Sequence, residues 1–256
     1  MFLIFLFFSG LIVGSFANVC IVRMPEDESV IWPGSHCRSC KALLRWYDNI
    51  PVASWLVLRG RCRDCQEPIP ARYPFVELGT AGLFVVLGTL GFPPRELTVY
   101  LVLTAALMVI TVIDFDHFII PDLISIPLIL ISPGLAVVVG HITLRESMTG
   151  IVLGGGILWT FAAVYEFVRK QEGMGFGDVK LVAMIGGFVG VSGALFTIMF
   201  GALSGSIIGA LMMGLRRGRL DTEIPFGPFL AAGGYVYILA GPAIIDWYLT
   251  RTNFFG

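Results

Sequence analysis

Apolar positions along this chain gather into long runs, and polar positions gather into short clumps between them. The first run, MFLIFLFFSGLIVGSFANVCIV, meets no charge before Arg23. Further apolar runs fall at about 76–94, 97–113, 123–141, 147–167 and 224–249, and 35 uncharged residues lie between Lys180 and Arg216. A helix needs about 20 residues to cross the hydrocarbon, so this last stretch predicts a hairpin turning near GVSG at 190–193. The pattern predicts an all-α polytopic membrane protein of about eight transmembrane helices with one small cytoplasmic insert. Three segments are expected: 1–19 as a first transmembrane helix, 20–75 as the insert, and 76–256 as a transmembrane bundle.

Composition sharpens this picture. The chain is 56% hydrophobic and only 14% charged, where a soluble domain carries about a quarter charged residues. A net charge of −1 leaves no basic excess to neutralise phosphates, which argues against a nucleic-acid partner. The first run lacks the basic start and small-residue cleavage site of a secretory signal, so it is expected to be a retained span. With the N-terminus outside, the inward segments 20–75, 114–122, 169–180 and 216–223 hold fourteen of the seventeen Lys and Arg residues. That asymmetry places the insert on the cytoplasmic side. Glycines at four-residue spacing (Gly150/Gly154, Gly186/Gly190, Gly201/Gly205/Gly209) let helices approach closely. Packing within one bundle is favoured over a dimer interface, and the oligomeric state stays open.

The insert carries CRSC at 37–40 and CRDC at 62–65, with 21 residues between the pairs. Two Cys-x-x-Cys turns supply four thiolates, which suits tetrahedral zinc at Cys37, Cys40, Cys62 and Cys65. A disulfide is disfavoured in a reducing cytoplasm. A closed four-sulfur shell leaves no open coordination position, so the metal is expected to be structural. Arg38, Arg61 and Arg63 would help offset the tetrathiolate charge. Cys20 is expected to be a small buried apolar residue.

The chemistry is expected from acids at the ends of helices. Carboxylates deep in a bilayer usually mark function, and the penalty is smaller near helix ends, so each acid is weighed by its position. Asp114 closes the uncharged run ending TVI, where a negative charge opposes the helix dipole. Asp116 and His117 are expected to be solvated. Asp122 follows Pro121 and sits where a helix N-cap belongs. Asp178 opens another span and could also cap it, but capping does not explain the alternating Gly173, Gly175 and Gly177 before it. Glycines there permit positive φ and a close backbone approach, which suits an extended peptide. Two nearby carboxylates share one proton and act as acid and base together, so an amide can be hydrolysed by water without a covalent intermediate. Gly175, Gly177, Asp122 and Lys180 are candidates for binding substrate or supporting the pair. No Ser-His-Asp set and no catalytic metal motif competes.

GSFANVCIVRMP (14–25), the two cysteine pairs, YDNIPVASWLVLRGRCRDC (47–65), RYPFVEL (72–78), IDFDHFIIPD (113–122) and GFGDVKL (175–181) together resemble the type IV prepilin peptidases, in order and over nearly the whole chain. The resemblance implies a bacterial inner-membrane aspartyl protease of the G-x-G-D class that removes the basic leader from prepilins and pseudopilins. It implies catalytic roles for Asp114 and Asp178, with Asp116 and Asp122 as accompanying acids. It also implies N-methylation of the new terminus with S-adenosylmethionine, linked to the cysteine-bearing insert. No glycine-rich nucleotide loop follows a strand, so the cofactor-binding residues are not assigned. Three rivals from other classes are a proton-coupled transporter, a membrane disulfide oxidoreductase using the four thiols, and a non-catalytic assembly factor.

Overall fold

A computed structural model describes residues 1–170, 175–215 and 224–252. Gly173 and the basic segment 216–223 lie outside the described residues. Among the described residues the chain is helical with no strand: α1 (Phe2–Arg23), the short α2 (Ala53–Val57), α3 (Arg72–Thr89), α4 (Pro94–His117), α5 (Asp122–Val139), α6 (Leu144–Arg169), α7 (Phe176–Leu215) and α8 (Gly227–Thr252). Six stretches are long and apolar enough to cross a membrane: Phe2–Glu26, Pro94–His117, Asp122–Val139, Leu144–Arg169, Phe176–Gly214 and Gly227–Arg251. The chain is a multi-pass membrane protein. α3, with Arg72 and Glu77 in its first two turns, is not among the six.

The long stretch after Lys180 turns back on itself as the run length predicts. Gly190 has φ 75° and ψ −175°, a conformation outside any helix. A Cβ on Gly154 of α6 would lie 2.9 Å from the Ala194 side chain and 3.3 Å from that of Val182. A Cβ on Gly186 would lie 3.2 Å from that same Ala194 methyl. In an unbroken helix Gly186 and Ala194 would stand about 12 Å apart along the axis. α7 is therefore two antiparallel arms joined at Gly190, and the described residues form eight long helical segments.

Two compact units divide the chain, residues 1–109 and 110–256, with α4 contributing to each. Within the first unit α1 lies against α3. The buried face of α1 repeats at helical spacing through Leu6, Gly10, Gly14, Ala17 and Ile21. A Cβ on Gly10 would come within 2.6 Å of the Ala81 Cα, and one on Gly14 within 2.7 Å of the Glu77 Cα. Only glycine allows that approach. Its other face exposes Phe5, Phe8, Ile12 and Phe16, a surface suited to lipid.

Within the second unit the first arm of α7 is the core. Leu181, Val182, Met184, Ile185 and Phe188 are fully buried, and α5, α6 and α8 pack around it. The glycine rows serve that packing. Gly150 of α6 meets the Gly186 backbone. Gly201 faces Leu230, and Gly205 faces Phe226 and Phe229 of the α8 region. α6 starts with a capping box, in which the Thr143 hydroxyl accepts the Glu146 N–H and the Glu146 carboxylate accepts the Thr143 N–H.

Candidate functional site

The second unit brings Asp114 and Asp178 into one electrostatic neighbourhood, and both are buried. α4 continues one turn past Asp114 and stops at Phe118, which takes a left-handed conformation (φ 57°) and donates its N–H to the Asp114 carbonyl at 2.9 Å. The Asp114 side chain is 5% exposed, and its Oδ2 accepts the Gly227 N–H at 3.0 Å. Gly227 is the first residue of α8, where helix N–H groups have no internal partner. A Cβ there would sit 2.6 Å from Oδ2. Sequence reasoning missed Gly227. Its signal is PFGP at 225–228, a proline at the opening of an apolar run, which marks a helix start.

Asp178 is the third residue of α7, 8% exposed, and feels the charge of Asp114. Its N–H closes a turn onto the Gly175 carbonyl at 3.1 Å. The helix has already begun at Phe176, so Asp178 does not occupy the cap position that the sequence allowed. Asp122 departs from expectation in a similar way. It is the first residue of α5, Pro121 holds the cap position, and no side chain caps that helix. Asp122 Oδ1 instead pairs with Lys180 Nζ, tying the start of α5 to the first arm of α7. Lys180 also sits 5.6 Å from the Phe176 ring centre.

Gly177 is needed for a contact rather than for an unusual backbone. A Cβ there would meet the Ile120 Cβ at 3.0 Å, so the loop after α4 rests on the first turn of α7. Among the described residues, only the Gly177 backbone N comes within 4 Å of where a Cβ on Gly175 would lie, at 3.9 Å. Gly177 has no positive φ, because it lies within the first turn of α7 in ordinary helical geometry. Asp116 and His117 are exposed, as expected.

The first unit holds the four cysteines. Each pair forms the same turn: the Cys37 N–H donates to the Ala42 carbonyl (2.9 Å), and the Cys62 N–H donates to the Glu67 carbonyl (2.8 Å). Lys41 and Gln66 both take positive φ, and antiparallel bridges join His36 to Leu43 and Arg61 to Pro68. The sulfurs of Cys37, Cys40, Cys62 and Cys65 all lie within 4.8 Å of one another, so they could hold a metal ion. Backbone N–H groups, first that of Cys40, bring the Cys37 thiol down to about 7. The Glu67 N–H pulls the Cys65 thiol down, but burial and the other three thiols outweigh it and push Cys65 up to about 12. Four sulfurs this close resist carrying four charges, and a cation among them relieves that. Arg38 and Arg63 are engaged elsewhere, Arg38 with Glu26 at 3.0 Å and Arg63 in a fork on Asp48 at 2.6 Å. Cys20 is buried in α1, as expected.

Comparison with known proteins gives the family. The Bacterial Peptidase A24 N-terminal domain profile matches residues 8–90, and the Type IV leader peptidase family profile matches residues 101–210. A prepilin leader peptidase/N-methyltransferase of Aeromonas hydrophila is 36% identical, covering 97% of this chain and 93% of the relative. The protein of that name from Pseudomonas aeruginosa is 35% identical over 96% of this chain and 92% of its own length. The one from Myxococcus xanthus is 41% identical over 83% of this chain and 64% of its own length. No solved structure matches the chain significantly. Full-length identity at this level and both domain profiles make the assignment: this chain belongs to the type IV leader peptidase family.

Proposed function

We propose that this chain is a membrane-embedded aspartyl endopeptidase that removes the basic leader from prepilins and pseudopilins at the cytoplasmic face of the bacterial inner membrane, and then N-methylates the new terminus. Asp114 and Asp178 share one proton and bind the attacking water between them. Asp114, held by the Gly227 N–H, takes the water's proton while Asp178 delivers the shared proton to the scissile carbonyl. Lys180 and Asp122 hold the starts of α5 and α7 together, and Ile120 on Gly177 fixes the loop between α4 and α5. The substrate offers an apolar helix with a basic leader, and it must unwind locally at the junction.

The observation that carries this reading is the pair of buried acids in one unit, one of them anchored by the Gly227 N–H. Zinc held by the four cysteines would brace the insert. S-adenosylmethionine would supply an electrophilic methyl group for the second activity. The test is incubation of purified protein with a prepilin and S-adenosylmethionine, read by intact mass. Leader loss and a further methyl increment report the two activities separately. Asp114→Asn and Asp178→Asn should each abolish leader loss at normal expression, and full cleavage by either variant sinks the dyad.

A further inference from the structure

The first unit contains a half-open cavity of about 290 Å³, at the lower edge of the range for small-molecule sites. Its wall includes Ser15, Asn18, Val52, Trp55, Tyr73 and Glu77. Glu77 is the unusual member. The residue is 7% exposed, and among the described residues no lysine, arginine or histidine forms an ion pair with it. It accepts the Val52 N–H at 2.7 Å and a hydrogen bond from Ser15. Arg23, also buried on this wall, is spent on the carbonyls of Ser29, Pro33 and Gly34. Burial pushes the Glu77 carboxyl above the ordinary carboxylate range, so its charge is costly there unless a cation faces it.

The backbone at Val52 adds a second, independent observation. Val52 sits at φ 61° and ψ −50°, and the Ala53 N–H reaches the Pro51 carbonyl at 2.6 Å, which is a tight three-residue turn. A β-branched residue in that conformation is strained, and strain of this kind gathers at ligand-binding positions. The Glu77 carboxylate holds the strained turn at the cavity edge. Trp55 donates its ring N–H to the Ile69 carbonyl at 3.0 Å, so its polar group is satisfied and its ring remains for apolar contact.

We infer that this cavity binds the methyl donor, with the Glu77 carboxylate facing the positive sulfonium of S-adenosylmethionine. The inference rests on the methylation proposed above. It accounts for an acid with no protein cation: the ligand brings the charge. It also makes a prediction that a purely structural role for Glu77 does not. The demethylated product, S-adenosylhomocysteine, has a neutral thioether and gains nothing from a carboxylate.

The test is equilibrium dialysis of full-length, detergent-solubilised protein with each of the two compounds, with thermal unfolding and zinc content as checks of folding. Wild type should prefer S-adenosylmethionine. Glu77→Gln keeps an oxygen for the Val52 N–H and should weaken S-adenosylmethionine about ten-fold or more, the scale of one nearby opposite charge, with S-adenosylhomocysteine little changed. Glu77→Asp, which restores the charge, should recover the preference. Equal weakening of both compounds, or of neither, overturns the site. If wild type methylates a prepilin but Glu77→Gln keeps the full preference, the site is wrong and the activity stands. If wild type neither binds the donor nor adds a methyl group, the methylation reading itself falls, and the site with it.

Discussion

At the scale of single residues, the least replaceable atom in the proposed peptidase site is one that is missing. Gly227 has no side chain because a Cβ would stand 2.6 Å from Asp114 Oδ2 and 3.0 Å from its Cγ. Gly227→Ala keeps the N–H but displaces the carboxylate, and small misplacements at a reacting group cost about 100-fold in rate. Leader cleavage by this variant should fall by about that factor with protein level unchanged, measured by initial rates on a prepilin. Asp48 offers a pH-dependent counterpart in the insert. Hydrogen bonds from Arg63 hold its carboxyl below the ordinary carboxylate range. The pair therefore contributes stability above a pH of about 4, the unfolded value, and loses it as pH falls through the lower folded value. Thermal unfolding of wild type and Asp48→Asn should differ at neutral pH and converge in acid. The gap is modest, since the guanidinium is partly exposed and screened.

At the scale of elements, helix contacts depend on where each glycine faces. A Cβ on Gly150 would run into the Gly186 backbone, whereas one on Gly156, on the same helix, would meet nothing within 4 Å. Gly150→Ala should lower the unfolding temperature in detergent, by overpacking of about 1–3 kcal/mol. Gly156→Ala should not lower it. Apolar run length was enough to place the helices, including the reversal at Gly190, because a bilayer fixes how long a span must be. It could not reveal that Gly10 and Gly14 clamp α1 onto α3, since only the partner's backbone makes those glycines necessary. That Asp114 and Asp178 come together in one unit, and that the four cysteines gather, was legible from spacing and motif. Gly227 was not, because its role is a backbone N–H supplied across more than a hundred residues. The capping role expected of Asp122, and the one open to Asp178, failed for a local reason: α5 starts at Asp122, and α7 starts two residues before Asp178.

At the scale of the whole molecule, each unit builds its site from its own residues. Asp114, Ile120, Asp122, Gly177, Asp178, Lys180 and Gly227 all belong to residues 110–256, and the cysteines and the Glu77 cavity to residues 1–109. Replacing Cys40 and Cys65 with serine removes two of the four sulfurs and leaves a metal with half its shell, so metal content should fall from about one ion per chain to near zero. The two hairpin turns that carry these cysteines also line the Glu77 cavity, through His36, Cys37 and Cys62. Loss of the metal should loosen that wall, and the methyl increment should fall further than leader cleavage does. Intact mass of a prepilin incubated with the double variant would then show cleaved, unmethylated product accumulating. Parallel loss of both activities at normal protein level would instead mean that the peptidase depends on the folded insert, and the separation of the two chemistries would be wrong.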